Sequence, residues 1–136
     1  MPVLGGEKAS APARSPRDAV RERSMVDSHG RQIRELRLSV TDRCNFRCVY
    51  CMEPDTRFMP KMELLSLEEY VRVAAACVGL GVTKVRITGG EPTVYPQLLE
   101  LIERLAALGV PDLAMTTNGA LANEESLSAW HAAGLK

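Results

Sequence analysis

The chain carries no net charge, because its 17 basic and 17 acidic residues cancel. A balanced polypeptide has no overall field to draw in nucleic acid or an anionic membrane, so neither is expected as a partner, and any bound anion must be held by local charge. No apolar run approaches the roughly 18 residues of a transmembrane helix, and the N-terminus lacks the apolar stretch of a secretory signal. The expected location is the reducing cytoplasm. Cysteine is sparse, four in 136 residues, yet three of the four fall within eight positions. Clustering without an export signal favours reduced thiols acting as ligands over disulfides.

Large apolar side chains are almost missing from the first 28 residues, where Gly, Ala, Pro, Ser and charged residues dominate. Such a segment cannot offset the entropy lost on ordering. Residues 1–28 are therefore expected to be a disordered tail, and residues 29–136 a single folded unit. Glu7, Asp18 and Glu22 within the tail argue against an organelle transit peptide, and Met25 offers an alternative start.

Beyond the tail, strand and helix patterns alternate. Leu36, Leu38 and Val40 interleave with Arg37, Ser39 and Thr41, which is the period of a strand over 35–41. Ser66-Leu-Glu-Glu69 reads as a capping box, and Leu67, Tyr70, Val71, Ala74 and Val78 form a helical stripe that stops at Gly79 and Gly81. Val82 to Thr88 reads as a second strand, Pro96 to Leu108 as a second helix with Leu98, Leu101, Ile102 and Leu105 inward, and Leu113 to Thr117 as a third strand. Asn123 caps a third helix on which Leu127, Trp130 and Ala133 are expected to pack, and Leu135-Lys136 approaches a fourth strand.

Three such units of about thirty residues predict an α/β fold with parallel strands and right-handed crossovers. Buried parallel strands are usually apolar on both faces, yet one face here would carry Arg37, Ser39, Thr41, Lys84, Arg86, Thr88, Thr116 and Asn118. That pattern suits an incomplete, TIM-like partial barrel around a charged ligand, with the site in the loops at the C-terminal strand ends. A sheet with one face in water fits the alternation as well.

The first of those loops contains Cys44-Asn-Phe-Arg-Cys48-Val-Tyr-Cys51, a C-x3-C-x2-C spacing that matches neither a zinc ribbon nor a dithiol redox motif. Cubane iron–sulfur clusters take four thiolates, so three close cysteines would leave one iron open for another ligand. Zinc completed by His29, His131 or Cys77 is the alternative, as are three unlinked thiols. Cys77 sits among Ala75, Ala76 and Val78, where a small buried thiol is ordinary packing. At the end of the second strand, Gly89-Gly90-Glu91-Pro92 permits a sharp turn and a close approach of the backbone to a ligand, though an ordinary βα turn fits as well.

The three cysteines, the Gly-Gly-Glu-Pro turn and the repeated βα units together resemble the radical S-adenosylmethionine (SAM) superfamily. More narrowly, the runs Leu36 to Met52, Glu63 to Glu69, Val85 to Pro92 and Thr116 to Gly119 resemble the GTP 3′,8-cyclase family of molybdenum cofactor biosynthesis, over about residues 27–136. The resemblance implies that Cys44, Cys48 and Cys51 bind a 4Fe-4S cluster, that Tyr50 and Gly90 touch S-adenosylmethionine, and that Arg37, Arg86 and Thr116 bind GTP. It implies a lyase in which a 5′-deoxyadenosyl radical starts cyclisation of GTP, an electron donor for the cluster, and a homodimer in the full-length enzyme. The family's later barrel units and second cysteine set have no counterpart here, so the chain is expected to be the front part of a longer enzyme, or a truncated product, that does not complete cyclisation alone. A peptide-modifying radical SAM enzyme and a zinc-binding structural module are the other readings.

Overall fold

The computed structural model of the chain describes residues 24–136. Most of the stretch expected to be a tail lies outside them. Within 24–34, Met25 is half-buried against the core and donates its N–H to Leu80 O at 3.2 Å, while Val26 and Gln32 form an antiparallel bridge. Asp27 closes the intervening turn by accepting from the N–H groups of His29 and Arg31.

The periodicities translate into three strands, β1 (Glu35–Ser39), β2 (Lys84–Thr88) and β3 (Asp112–Met115), and three helices, α1 (Leu67–Gly79), α2 (Leu98–Ala107) and α3 (Glu124–Ala132). The strands form one open parallel sheet in the order β1-β2-β3. This is the α/β architecture expected from the alternating patterns. Register pairs Leu36 with Val85 and Leu113, and Leu38 with Ile87 and Met115, so the apolar positions fall on one face. There Leu38, Val85, Ile87 and Leu113 join Leu67, Tyr70 and Ala74 of α1, Leu101, Ile102 and Leu105 of α2, and Trp130 of α3 in one buried cluster. Full burial of each large apolar side chain contributes about 1.5–3 kcal/mol.

Helix α1 begins where its capping box directs. Glu69 N–H donates to Ser66 Oγ at 3.4 Å, and Ser66 N–H donates to Glu69 Oε2 at 2.8 Å. Helix α2 starts at Leu98 rather than Pro96, because Pro92–Val94 forms its own short 3-10 turn that ends in extended backbone at Tyr95. Leu127, expected to be inward on α3, is 54% exposed; within that short helix only Trp130 is fully buried. No helix among the described residues is long and apolar enough to cross a membrane.

One tertiary hydrogen bond sets the position of the sheet's functional end. The hydroxyl of the buried Tyr70, on α1, donates to Val40 O at 3.1 Å, immediately past the end of β1. The Tyr70 ring also meets Tyr95 edge-on, with centroids 6.1 Å apart. Helix α1 is thereby fastened to the point where the cysteine loop departs. Tyr70→Phe keeps the ring packing and removes this bond, so a loss of about 1 kcal/mol is expected. The urea midpoint should fall with an unchanged m-value; an unaltered midpoint would show that the hydroxyl holds nothing there.

Candidate functional site

The ladder between β1 and β2 does not stop where the strands do. Val40 N–H donates to Thr88 O at 3.0 Å, Gly90 N–H to Thr41 O at 2.7 Å and Glu91 N–H to Arg43 O at 2.8 Å. The root of the cysteine loop and the Gly-Gly-Glu turn are thus joined backbone to backbone. A Cβ on Gly89, whose φ is +152°, would stand 2.4 Å from Thr41 O, and one on Gly90 would stand 2.4 Å from Arg43 O and 2.6 Å from Asp42 O. Both glycines are therefore required by the protein's own backbone, before any ligand arrives. Thr41, read as part of the polar face of the sheet, is buried, because this turn lies against it. Its Oγ1 accepts from Arg43 N–H at 3.1 Å and starts the loop's departure from the strand.

Glu91 locks the second and third strand ends together. Its side chain is 1% exposed. Oε1 accepts from Thr93 N–H at 3.0 Å, Thr93 Oγ1 at 2.6 Å and Thr117 Oγ1 at 2.6 Å, and Oε2 accepts from Asn118 N–H at 2.7 Å. Burial pushes this carboxyl up, but the bonds from Asn118, Thr117 and Thr93 outweigh that and hold it below the ordinary glutamate value. Asn118 then continues the chain of contacts, its Nδ2 donating to Asn45 Oδ1 at 2.8 Å inside the cysteine loop. Three strand-end loops are cross-linked through two side chains. Sequence reasoning singled out neither Glu91 nor Asn118 for this role. The one available signal was not local to Glu91: it was the donor-rich Thr116-Thr-Asn118 at the end of the next strand.

These loops enclose a cleft of about 290 Å3 lined by Ser39, Thr41, Asp42, Cys44, Phe46, Cys48, Cys51, Met52, Gly89 and Gly90. All three clustered cysteines reach it, as does Gly90. The loop is curled by Arg47, whose Nη1 donates to Cys44 O at 2.8 Å and Phe46 O at 2.9 Å, and by the CxxC turn, in which Cys51 N–H donates to Cys48 O at 2.9 Å. Phe46 N–H donates to Cys44 Sγ at 3.4 Å. The far end of the loop is tied back where Met59 N–H donates to Asp42 Oδ2.

Three thiols on one cleft are a donor set that suits an iron–sulfur cluster. No three His, Cys, Asp or Glu side chains among the described residues are gathered tightly enough to hold one ion. None of the candidate zinc-completing residues lines the cleft. Cys77 packs against the core from α1, His29 sits in the exposed 27–30 turn, and the His131 ring faces Leu135 O at 3.2 Å.

The other expected site residues lie nearby but outside the cleft lining. Tyr50 is 90% exposed on the loop between Cys48 and Cys51. Arg37 and Arg86 are register partners on the helix-free face of the sheet, two residues before Ser39 and Thr88. Thr116 follows β3 and extends its ladder by donating N–H to Ile87 O at 3.0 Å.

Two predictions follow from the loop cross-links. Glu91→Gln presents an amide N–H to at least one of four donors, and a loss of about 2–4 kcal/mol is expected from denaturant melts, without change of secondary structure. In the parent, the lowered carboxyl makes Glu91 stabilising above the unfolded value of about 4.3, and that contribution is lost as pH falls through the folded value. Stability that is flat between pH 6 and 3 would contradict it. Gly90→Ala should open the junction with Asp42 and Arg43, costing several kcal/mol because the clash is with backbone; a melt unchanged from the parent would show that the loops can part freely.

The profile of the radical SAM superfamily matches residues 38–136, which include the whole of the cleft. GTP 3′,8-cyclase 1 of Pseudomonas aeruginosa is 60% identical over 95 residues, covering 69% of this chain and 29% of that protein. The GTP 3′,8-cyclase of Ectopseudomonas mendocina is 57% identical over 96 residues, 70% of this chain and 29% of its own length. That of Marinobacter nauticus is 52% identical over 95 residues, with shares of 70% and 29%. The chain thus spans about three tenths of the length of these curated relatives. A profile match over most of the chain, centred on a three-cysteine cleft at the strand ends, establishes that the chain belongs to the radical SAM superfamily.

Proposed function

We propose that this chain supplies the cluster-binding and cosubstrate-binding part of a GTP 3′,8-cyclase, the activity for which its relatives are named. The observation that carries the reading is the single cleft in which Cys44, Cys48 and Cys51 meet the Gly89-Gly90 turn at the C-terminal strand ends. In this reading the three thiolates hold a 4Fe-4S cluster and leave one iron open to the cosubstrate. When bound, the cluster and S-adenosylmethionine together supply a 5′-deoxyadenosyl radical by one-electron cleavage of the sulfonium.

The chain's own residues bind and orient. Gly90, on the cleft wall, and Tyr50, on the loop above it, contact the cosubstrate. Arg37 and Arg86 hold the triphosphate of GTP, for which permanently charged guanidinium groups are suited. Thr116 contacts the same substrate from the end of β3. Register supports this division of labour. Ser39 and Thr88 form a pair adjoining the cleft, and the arginine pair lies two residues back on the same face, about 7 Å along the strands. A nucleotide anchored by its phosphates on the arginines would direct its sugar towards the cleft. The charge balance of the chain makes such local recognition necessary, since no bulk field attracts the anion. In this reading the bound cluster would need an external electron donor, and cyclisation would need the two ligands enclosed from water.

Anaerobic reconstitution with iron and sulfide, followed by electron paramagnetic resonance of the reduced chain, tests the reading. A cluster signal that shifts on adding S-adenosylmethionine and vanishes in Cys48→Ala is expected. A chain that takes up zinc alone, or a signal indifferent to both the cosubstrate and the substitution, would overturn it.

A further inference from the structure

We infer that Glu35 is a built-in counter-anion that competes with a ligand's phosphates for the Arg37–Arg86 pair and so limits the affinity of this sheet face for polyphosphate. The inference rests on the proposed assignment of both arginines to the substrate's triphosphate.

Register pairs Arg37 with Arg86 on adjacent parallel strands, and no helix covers that face. Two guanidinium groups on neighbouring strands repel each other unless an anion lies between them. Glu35, two residues before Arg37 on the same face, provides one. A single oxygen, Oε1, is 3.3 Å from Arg37 Nε and 3.6 Å from Arg86 Nε. Lys84, the register partner of Glu35, is engaged elsewhere, since its Nζ is 3.2 Å from Asp112 Oδ2. Glu35 is therefore the carboxylate left to the arginines.

The arrangement holds the pair without satisfying it. Arg86 Nε is shut off from water and has no hydrogen-bond partner, because 3.6 Å is beyond bonding distance. One shared carboxylate oxygen faces two guanidinium groups whose five donors each suit an anion with several oxygens. The side chains are 40% exposed for Glu35, 74% for Arg37 and 42% for Arg86, so the ion pairs are weak and the carboxylate can be moved aside. A polyphosphate brings more charge and more acceptors, and takes the guanidinium groups from Glu35. The displaced carboxylate remains a few ångströms away and repels the newcomer.

The test is calorimetric titration of inorganic triphosphate into the full 136-residue chain at low salt. The variants are Glu35→Gln, Glu35→Asp, Arg86→Gln and the double variant Glu35→Gln/Arg86→Gln. Removing one like charge at such a distance in water is expected to tighten binding by about two- to tenfold in Glu35→Gln, with the gain shrinking as salt rises. Glu35→Asp should stay near the parent, Arg86→Gln should bind more weakly, and the gain from Glu35→Gln should be smaller in the Arg86→Gln background. Weaker or equal binding in Glu35→Gln, with Arg86→Gln still weakened, would overturn the role of Glu35 and leave the arginine assignment intact. If Arg86→Gln binds as tightly as the parent, or the parent binds no triphosphate, the assignment fails and the inference fails with it.

Discussion

The organisation of this site depends on a carboxylate buried without a cation. Taking an ionised group out of water costs several kcal/mol, and a buried charge survives only when its remaining lone pairs are filled. Glu91 meets that condition with four donors, all from residues beyond β2, two of them across on the segment that follows β3. The condition binds both ways. If the turn after β2 shifted, the carboxylate would lose donors, and if the segment after β3 shifted, Thr117 and Asn118 would lose their acceptor. Asn118 transmits the same constraint to Asn45 and hence to the cysteine loop. The strand ends are consequently ordered as one unit by the protein itself.

That order is uneven in a way that suits a cluster-binding loop. Its root is held by backbone bonds to Gly90 and Glu91, and its far end by Asp42. Val49 and Tyr50, between the second and third cysteines, are almost wholly exposed. A fixed root sets where the three thiols gather, while the tip between Cys48 and Cys51 stays open to solvent. The arginines near the loop serve its shape rather than charge recognition. Arg47 curls the backbone through two carbonyls, and Arg43 and Arg47 lie 5.9 and 5.1 Å from the Phe58 ring.

The parts legible in the sequence are those that depend on near neighbours. Ser66 and Glu69 fixed the start of α1 three residues apart, and the alternation of Leu36, Leu38, Val85 and Ile87 with polar residues fixed the buried face of the sheet. Three cysteines in eight residues share one cleft for the same reason. What stayed hidden involves partners far apart in the chain. Glu91 meets Thr117 and Asn118 across 26 and 27 residues, and nothing local distinguishes it from a surface acid after a turn. The Gly-Gly pair was read correctly as a close approach, but the approaching atoms are the backbone oxygens of Thr41, Asp42 and Arg43. Burial of Thr41 follows from that contact and is invisible to strand periodicity. Leu127 misled because a short helix at the margin buries only Trp130, whatever its apolar spacing.

Parallel pairing also converts a scattered set of polar residues into an ordered surface. Because register is direct, Glu35 aligns with Lys84 and Asp112, Arg37 with Arg86 and Ala114, and Ser39 with Thr88. Successive rows lie about 7 Å apart along the strands. Starting from the cleft, the rows are neutral hydroxyl, then cationic, then mixed in charge. The cationic row then offers an anion its only doubled positive charge on this face, and the mixed row beyond it ends that attraction. A chain with zero net charge thus acquires a graded pattern of charge along one sheet face from strand register alone. A one-residue slip of β2 against β1 would turn Arg86 into the core and Ile87 into water, so the burial that sets the register also aims the arginines.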